Sequence, residues 1–66
     1  MNTDAVKPGD VFESRARRGA MVRVTATYNS HVDVETLHAN GRGTNERSID
    51  WETLAKYYRE VIEVPK

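Results

Sequence analysis

Arginine is the residue type whose spacing in this chain most clearly suggests chemistry. Three arginines lie between positions 15 and 18, a fourth follows at position 23, and residues 14–30 contain no acidic residue. Guanidinium groups match phosphate oxygens in a planar fork, so a loop carrying several of them can follow a nucleic-acid backbone. The residues predicted to bind nucleic acid are Arg15, Arg17, Arg18, Arg23 and Arg42.

The charge of the whole chain supports a second interpretation of the same arginines. Ten basic and ten acidic residues cancel, whereas many nucleic-acid-binding domains carry a net positive field. Charged loops are also common as solvated surface in proteins that bind no polyanion. The sequence therefore leaves two alternatives open, a sequence-independent phosphate contact and a solvated loop.

Aromatic residues near the carboxyl end also allow two interpretations. Trp51, Tyr57 and Tyr58 could stack on bases, which contributes about 1–3 kcal/mol per base. A chain of 66 residues needs aromatic volume in its core, however, and Trp51 is therefore predicted to pack there. If Tyr57 and Tyr58 lie on a strand, one of them must face outward, and that tyrosine is the candidate contact.

Metal and catalytic sites have little support in the sequence. His31, Asp33 and Glu35 share one strand face, but successive positions on that face are about 6.5–7 Å apart, which is too long for compact ligation. The chain has no cysteine, no glycine-rich phosphate loop and no arrangement of serine, histidine and aspartate that suits nucleophilic catalysis. We therefore expect no enzyme activity, no metal and no cofactor.

Alternating apolar residues and strong turn signals predict a mainly β domain. Val22 and Val24 alternate with Arg23 and Thr25, and the same face is predicted to carry Ala26 and Tyr28. Asn40-Gly41 suits the positive φ values of a tight turn between two strands. The first four strands are predicted at residues 11–13, 20–28, 31–38 and 44–49.

The last 17 residues fit two structures. Apolar side chains from Trp51 to Ile62 fall at helical spacing, with Asp50 as a suitable N-cap. Residues 57–62 are also rich in aromatic and β-branched types, which favours a short helical turn over residues 50–56 followed by a fifth strand. The alternatives are a three-strand meander with a C-terminal helix and a five-strand sheet.

The order of these elements resembles the small SH3-like barrel proteins of actinobacteria and their phages. The resemblance implies a partly open, five-strand barrel with one short helical turn near the C-terminus, and so favours the fifth strand at residues 57–62. It also implies an accessory role in a phage or mobile element. The matching residues are Lys7-Pro8-Gly9-Asp10-Val11-Phe12, Gly19, Val22-Arg23-Val24, Asn40-Gly41-Arg42, Ile49, Leu54, Tyr58 and Val61.

This fold assigns one domain to residues 7–64 and a flexible N-terminus to residues 1–6. Phe12 and Tyr28 are predicted at the margins of the core. The predicted core residues are Val11, Val22, Val24, Val32, Val34, Ile49, Trp51, Leu54 and Val61.

Two classes of function remain open on the sequence alone. The first is weak binding of DNA or RNA through the arginine-rich face. The second is interaction with a host or phage protein, through a groove or an exposed strand edge or through the acidic face at Asp33 and Glu35. Self-association through the same edge is a third alternative. No segment resembles a membrane span or a signal peptide, so a cytoplasmic location is expected.

Overall fold

The computed structural model describes residues 6–61, which form five antiparallel strands and one short helix. The strands form one sheet in the order β4-β3-β2-β1-β5. The sheet is not closed, so β4 and β5 are its two edges. This architecture confirms the predicted mainly β, partly open barrel. The elements are β1 (Val11–Ser14), β2 (Met21–Thr27), β3 (His31–Leu37), β4 (Gly43–Asp50), α1 (Trp51–Tyr57) and β5 (Tyr58–Val61).

The carboxyl-terminal segment is a short helix followed by a strand, as the resemblance favoured. Asp50 caps α1 by accepting a hydrogen bond from the Thr53 backbone N–H at 2.7 Å. Hydrogen bonding by Thr53 lowers the pKa of the Asp50 carboxyl, which keeps the cap ionised. The strand begins at Tyr58, one residue later than predicted, and Ile62 lies outside the described residues. Within residues 6–61, no helix is long and apolar enough to cross a lipid bilayer.

The buried core lies between α1 and the face of the sheet that we call the inner face. Five predicted core residues are buried, and the predicted Ile49 and Trp51 pack against them. The Trp51 indole N–H also donates to the Tyr28 carbonyl at 2.7 Å, which fixes the start of α1 against the turn between β2 and β3. The buried core consists of Val6, Phe12, Val22, Val24, Val32, Val34 and Leu54.

The predicted orientation of β1 is wrong by one residue. Phe12 pairs with Val22 and is fully buried, whereas Val11 pairs with Arg23 and with Val61 on the opposite, outer face. Val11 and Val61 are therefore only partly buried and do not belong to the core. Two successive apolar residues on a strand of four give no alternation from which the inward position can be predicted.

Val6 is a core residue that the sequence analysis had assigned to the flexible N-terminus. Its side chain is buried and belongs to the core cluster. Residues 1–5 and 62–66, which include the predicted end of the domain at residue 64, lie outside the described residues.

A bulge in β2 changes the face of its last residues. Val24 pairs with Val34, but Ala26 pairs with Asp33, so one extra residue has been inserted in β2. Ala26 therefore leaves the face of Val24, contrary to the predicted alternation. Tyr28 is 49% exposed and does not complete the core. Its ring stacks on His31, with the ring centroids 4.6 Å apart.

A second bulge, in β4, decides which charge lies beside the inner face. Near the turn Thr36 pairs with Thr44, whereas further along β3 Val34 pairs with Arg47. Continuing the first pairing without a bulge would place Glu46 opposite Val34. Asn45, at φ 55°, belongs to the segment that absorbs the extra residue and is of a type that tolerates this left-handed conformation. The bulge thus gives the inner face an arginine in place of a glutamate.

A candidate nucleic-acid interface

One end of the sheet collects the loops that carry most of the predicted arginines. Met21 pairs with both Glu13 and Leu37, so the β1–β2 loop and the β3–β4 turn begin side by side. The end of α1 joins them, because the Arg15 backbone N–H donates to the Tyr57 carbonyl at 2.8 Å. We call the segments 15–20, 38–42 and 56–58 the basic end.

The charges of the chain are separated between the two ends of the molecule. The basic end has five basic residues and no acidic residue. At the opposite end, the segments 7–10, 28–30 and 50–53 have three acidic residues and one basic residue. Zero net charge therefore coexists with a local positive field of the kind that attracts phosphate. The basic residues of the basic end are Arg15, Arg17, Arg18, Arg42 and Lys56.

A carboxylate that the sequence analysis did not identify holds the β1–β2 loop. Glu13 accepts a hydrogen bond from the Gly19 backbone N–H at 3.1 Å and forms a salt bridge with Arg59 at 2.5 Å. The Arg59 guanidinium, followed by the Gly19 N–H, lowers the pKa of the Glu13 carboxyl. Gly19 has φ 86°, which suits glycine. The carboxylate therefore fixes the loop that presents Arg17 and Arg18.

The outward tyrosine lies beside this loop. Tyr57 is the last residue of α1 and is 51% exposed, whereas Tyr58 begins β5 and packs against the core, so one of the pair faces outward although the two do not share a strand. Arg15 donates to the backbone carbonyls of both tyrosines. Its backbone N–H donates to Tyr57, and its Nε donates to Tyr58 at 3.2 Å. The Lys56 Nζ lies 5.4 Å from the centre of the Tyr57 ring. An exposed aromatic ring and several cations therefore share one surface.

The inner face opens into a cavity of about 490 Å³ at the basic end. We call this cavity the mouth pocket. Apolar residues, among them Met21, Val22 and Leu37, contribute to its lining together with polar side chains. None of the described residues that line the pocket is acidic. Its principal lining side chains are Ser14, Arg17, Thr36, His38, Arg47 and Tyr58.

Arg47 is held in the mouth pocket without a carboxylate partner among the described residues. Its Nη1 donates to the Thr36 hydroxyl and to the Asn45 carbonyl, both at 3.0 Å. The Nε and Nη2 groups retain three N–H donors. Arg47 was not among the predicted site residues, because its inward position depends on the bulge. The signal available in the sequence was Asn45, a residue type tolerant of positive φ.

Arg23, the fifth predicted residue, lies away from the basic end. Its Nε and Nη2 both donate to one Glu35 oxygen, at 2.8 and 2.6 Å, on the outer face of the sheet. Asp33 accepts a hydrogen bond from the Ser48 hydroxyl at 2.5 Å, and His31 stacks on Tyr28. His31, Asp33 and Glu35, the residues of one strand face, are therefore all engaged in contacts within the protein.

No family model matches the chain, and comparison with curated proteins and with solved structures likewise gives no match.

Proposed function

We propose that the protein binds nucleic acid through the basic end, by contacts of its arginines with backbone phosphates. The observation that carries this proposal is the grouping of five basic residues, with no acidic residue, on three segments that the fold brings together. Among the described residues, salt bridges form at Arg23 and Arg59 only. The guanidinium groups of Arg17 and Arg18 therefore keep donors available for phosphate oxygens.

The exposed Tyr57 adds a surface on which a base can stack. Stacking contributes about 1–3 kcal/mol per base and tolerates every base type. Combined with phosphate contacts, it gives binding that depends little on sequence and strongly on salt. The accessory role in a phage or mobile element that the resemblance implies remains a prediction of the sequence.

Fluorescence anisotropy with labelled DNA and RNA, over a series of salt concentrations, tests this proposal. Arg18→Ala and Arg23→Ala each remove one positive charge, so the pair forms a matched comparison. Arg18→Ala should weaken binding and reduce the slope of log Kd against log salt by about 1, because one phosphate contact is lost. Arg23→Ala should leave the slope unchanged. Equal effects of the two variants, or no binding at low salt, would contradict the proposal.

A protein partner at the outer face is the second candidate function. Four apolar side chains that are only partly buried line a shallow cleft of about 480 Å³ there, together with Gly9 and Asp10. The Arg23–Glu35 pair neutralises the charge on one side of them and Asp10 lies on the other, so the cleft suits an apolar side chain of a partner surface. The four side chains are Val11, Met21, Leu37 and Val61.

Capture experiments with matched variants separate this candidate from nucleic-acid binding. A protein retained by the wild type and by Arg18→Ala, at low and high salt, but lost with Val61→Asp would support the outer face, because Val61 lines the cleft and not the mouth pocket. Retention that Arg18→Ala abolishes, or that nuclease treatment removes, would assign the capture to the basic end.

A further inference from the structure

We propose that the mouth pocket holds one unpaired nucleotide, so that the basic end prefers single-stranded nucleic acid. This inference rests on the proposed function and names the form of the ligand. The pocket lies on the inner face, between the β1–β2 loop and the β3–β4 turn, and its volume of about 490 Å³ is in the range of small-molecule sites.

The position of the pocket disfavours a base-paired ligand. A duplex presents phosphates on its outside and keeps its bases stacked, so only a flipped or unpaired nucleotide can enter a recess of this size. Flipping a base out of a duplex costs a few kcal/mol, whereas a single strand has its bases available. A single strand that places a base in the pocket therefore gains binding energy that a duplex gains only at the cost of flipping a base.

The pocket supplies hydrogen-bond donors for one phosphate. Arg17 and Arg47 bring two guanidinium groups, and Arg47 is already held by Thr36 and Asn45, so little of its side-chain freedom remains to be lost. The Thr36 hydroxyl accepts from Arg47, and the Ser14 hydroxyl accepts from the Ala16 backbone N–H at 3.3 Å. Each hydroxyl proton therefore remains available to donate to an anion.

Two rings in the lining suit the base of the same nucleotide. Tyr58 and His38 both line the pocket. His38 is oriented by a hydrogen bond of 2.6 Å between its Nε2 and the Thr44 hydroxyl. Bases of every type stack on such rings, so this contact adds affinity without sequence preference.

The bulge in β4 decides the charge beside the pocket. Its extra residue places Arg47 opposite Val34, where the uninterrupted register would place Glu46. It also requires the left-handed conformation of Asn45, which is unfavourable for most residue types. The bulge thus places a guanidinium, and not a carboxylate, beside the pocket.

The test compares a labelled 20-nucleotide single strand with a blunt 20-base-pair duplex at one salt concentration. Phosphate contacts alone favour the duplex, because its charge density gives a salt slope of about −0.9 per contact against about −0.7 for a single strand. The inference predicts the opposite order, with the single strand bound at least about tenfold more tightly. Arg47→Ala should remove most of this preference, since a hydrogen bond to a charged group contributes about 1.5–3 kcal/mol, or roughly tenfold or more in Kd.

Thr36→Val provides a variant that leaves the charge unchanged. It removes the hydroxyl that holds Arg47, so the single-strand preference should fall while duplex binding stays the same. Circular dichroism melts establish that each variant is folded. If the duplex binds as tightly as the single strand and Arg18→Ala weakens both, the proposed function stands and the pocket inference is overturned. If neither ligand binds, the proposed function and the pocket inference are both wrong.

Discussion

The basic end and the outer face use arginine in two different ways. On the outer face, Arg23 donates twice to Glu35, and the side chains of the pair are 35% and 19% exposed. At the basic end, Arg47 is held by a hydroxyl and a carbonyl, which orient the guanidinium and leave its charge in place. An arginine paired with a carboxylate is neutralised, whereas an arginine held by neutral groups keeps its charge for a ligand, whatever its position in a run of charges.

The largest effect on the outer face is expected from Gly43→Ala. An added Cβ would collide with the Glu35 carboxylate, which lies over Gly43 and is held there by Arg23. Relieving the collision requires the flexible end of Glu35 to move away from Arg23, so we expect a loss of up to about 1 kcal/mol in the free energy of unfolding, the range of a partly exposed ion pair, measured by urea denaturation. Nucleic-acid affinity of the folded fraction should not change. Unchanged stability would show that Glu35 is not confined.

Asn45→Val tests the basic end through the backbone. A β-branched residue in the left-handed conformation should cost about 1–2 kcal/mol, whereas Asn45→Gly relieves the conformation and should be tolerated. The Asn45 backbone carbonyl accepts from Arg47 and moves if valine forces the backbone out of the left-handed conformation. The valine variant should therefore lose the single-strand preference, and the glycine variant should keep it. Chemical denaturation and anisotropy measure the two effects. If both variants bind like the wild type, the bulge does not position Arg47.

A double-mutant cycle on Arg23 and Glu35 measures the smaller, structural role of the outer-face pair. For a partly exposed ion pair we expect a coupling energy of about 0.5–1 kcal/mol. The variants Arg23→Ala and Glu35→Ala should both bind nucleic acid like the wild type. A coupling energy near zero, together with weaker binding by Arg23→Ala, would indicate that Arg23 belongs to the binding surface.

The smallest effect is a change in the pH dependence of stability in Glu13→Gln. Arg59 and the Gly19 N–H lower the pKa of Glu13 in the folded state from its ordinary value of 4.5. The ionised carboxylate therefore stabilises the fold at neutral pH, and this contribution is lost as the pH falls below 4.5 through the folded-state pKa. Thermal melts should show the wild type more stable than Glu13→Gln near neutrality, with a difference that narrows in acid. A constant difference would contradict this role.

The sequence predicted the fold better than it predicted which arginines lie together. Alternation at Val22–Val24 and Val32–Val34, with the Asn40-Gly41 turn between strands, sufficed for the meander, because these signals are local. The orientation of β1 was not predictable from its own residues, since Val11 and Phe12 are both apolar. Tertiary pairing with Val22 decided it.

At the site, sequence proximity grouped residues that the fold separates. Arg23 follows the arginine loop closely, but it lies on a strand beside Glu35, twelve residues further along the chain. Arg47 was missed because a single inserted residue in β4 decides its face, and a one-residue shift exchanges the two faces of a strand. Glu13 was missed because its partners, Gly19 and Arg59, meet only in the folded sheet.

Arginine side-chain NMR tests most directly whether nucleic acid contacts the basic end and not the outer face. In a titration of labelled protein with a single strand at low salt, the Nε–H signals of Arg15, Arg17, Arg18, Arg42 and Arg47 should shift. Those of Arg23 and Arg59 should not, and the shifts should fade as salt is added. Shifts centred on Arg23, or none at low salt, would contradict the account.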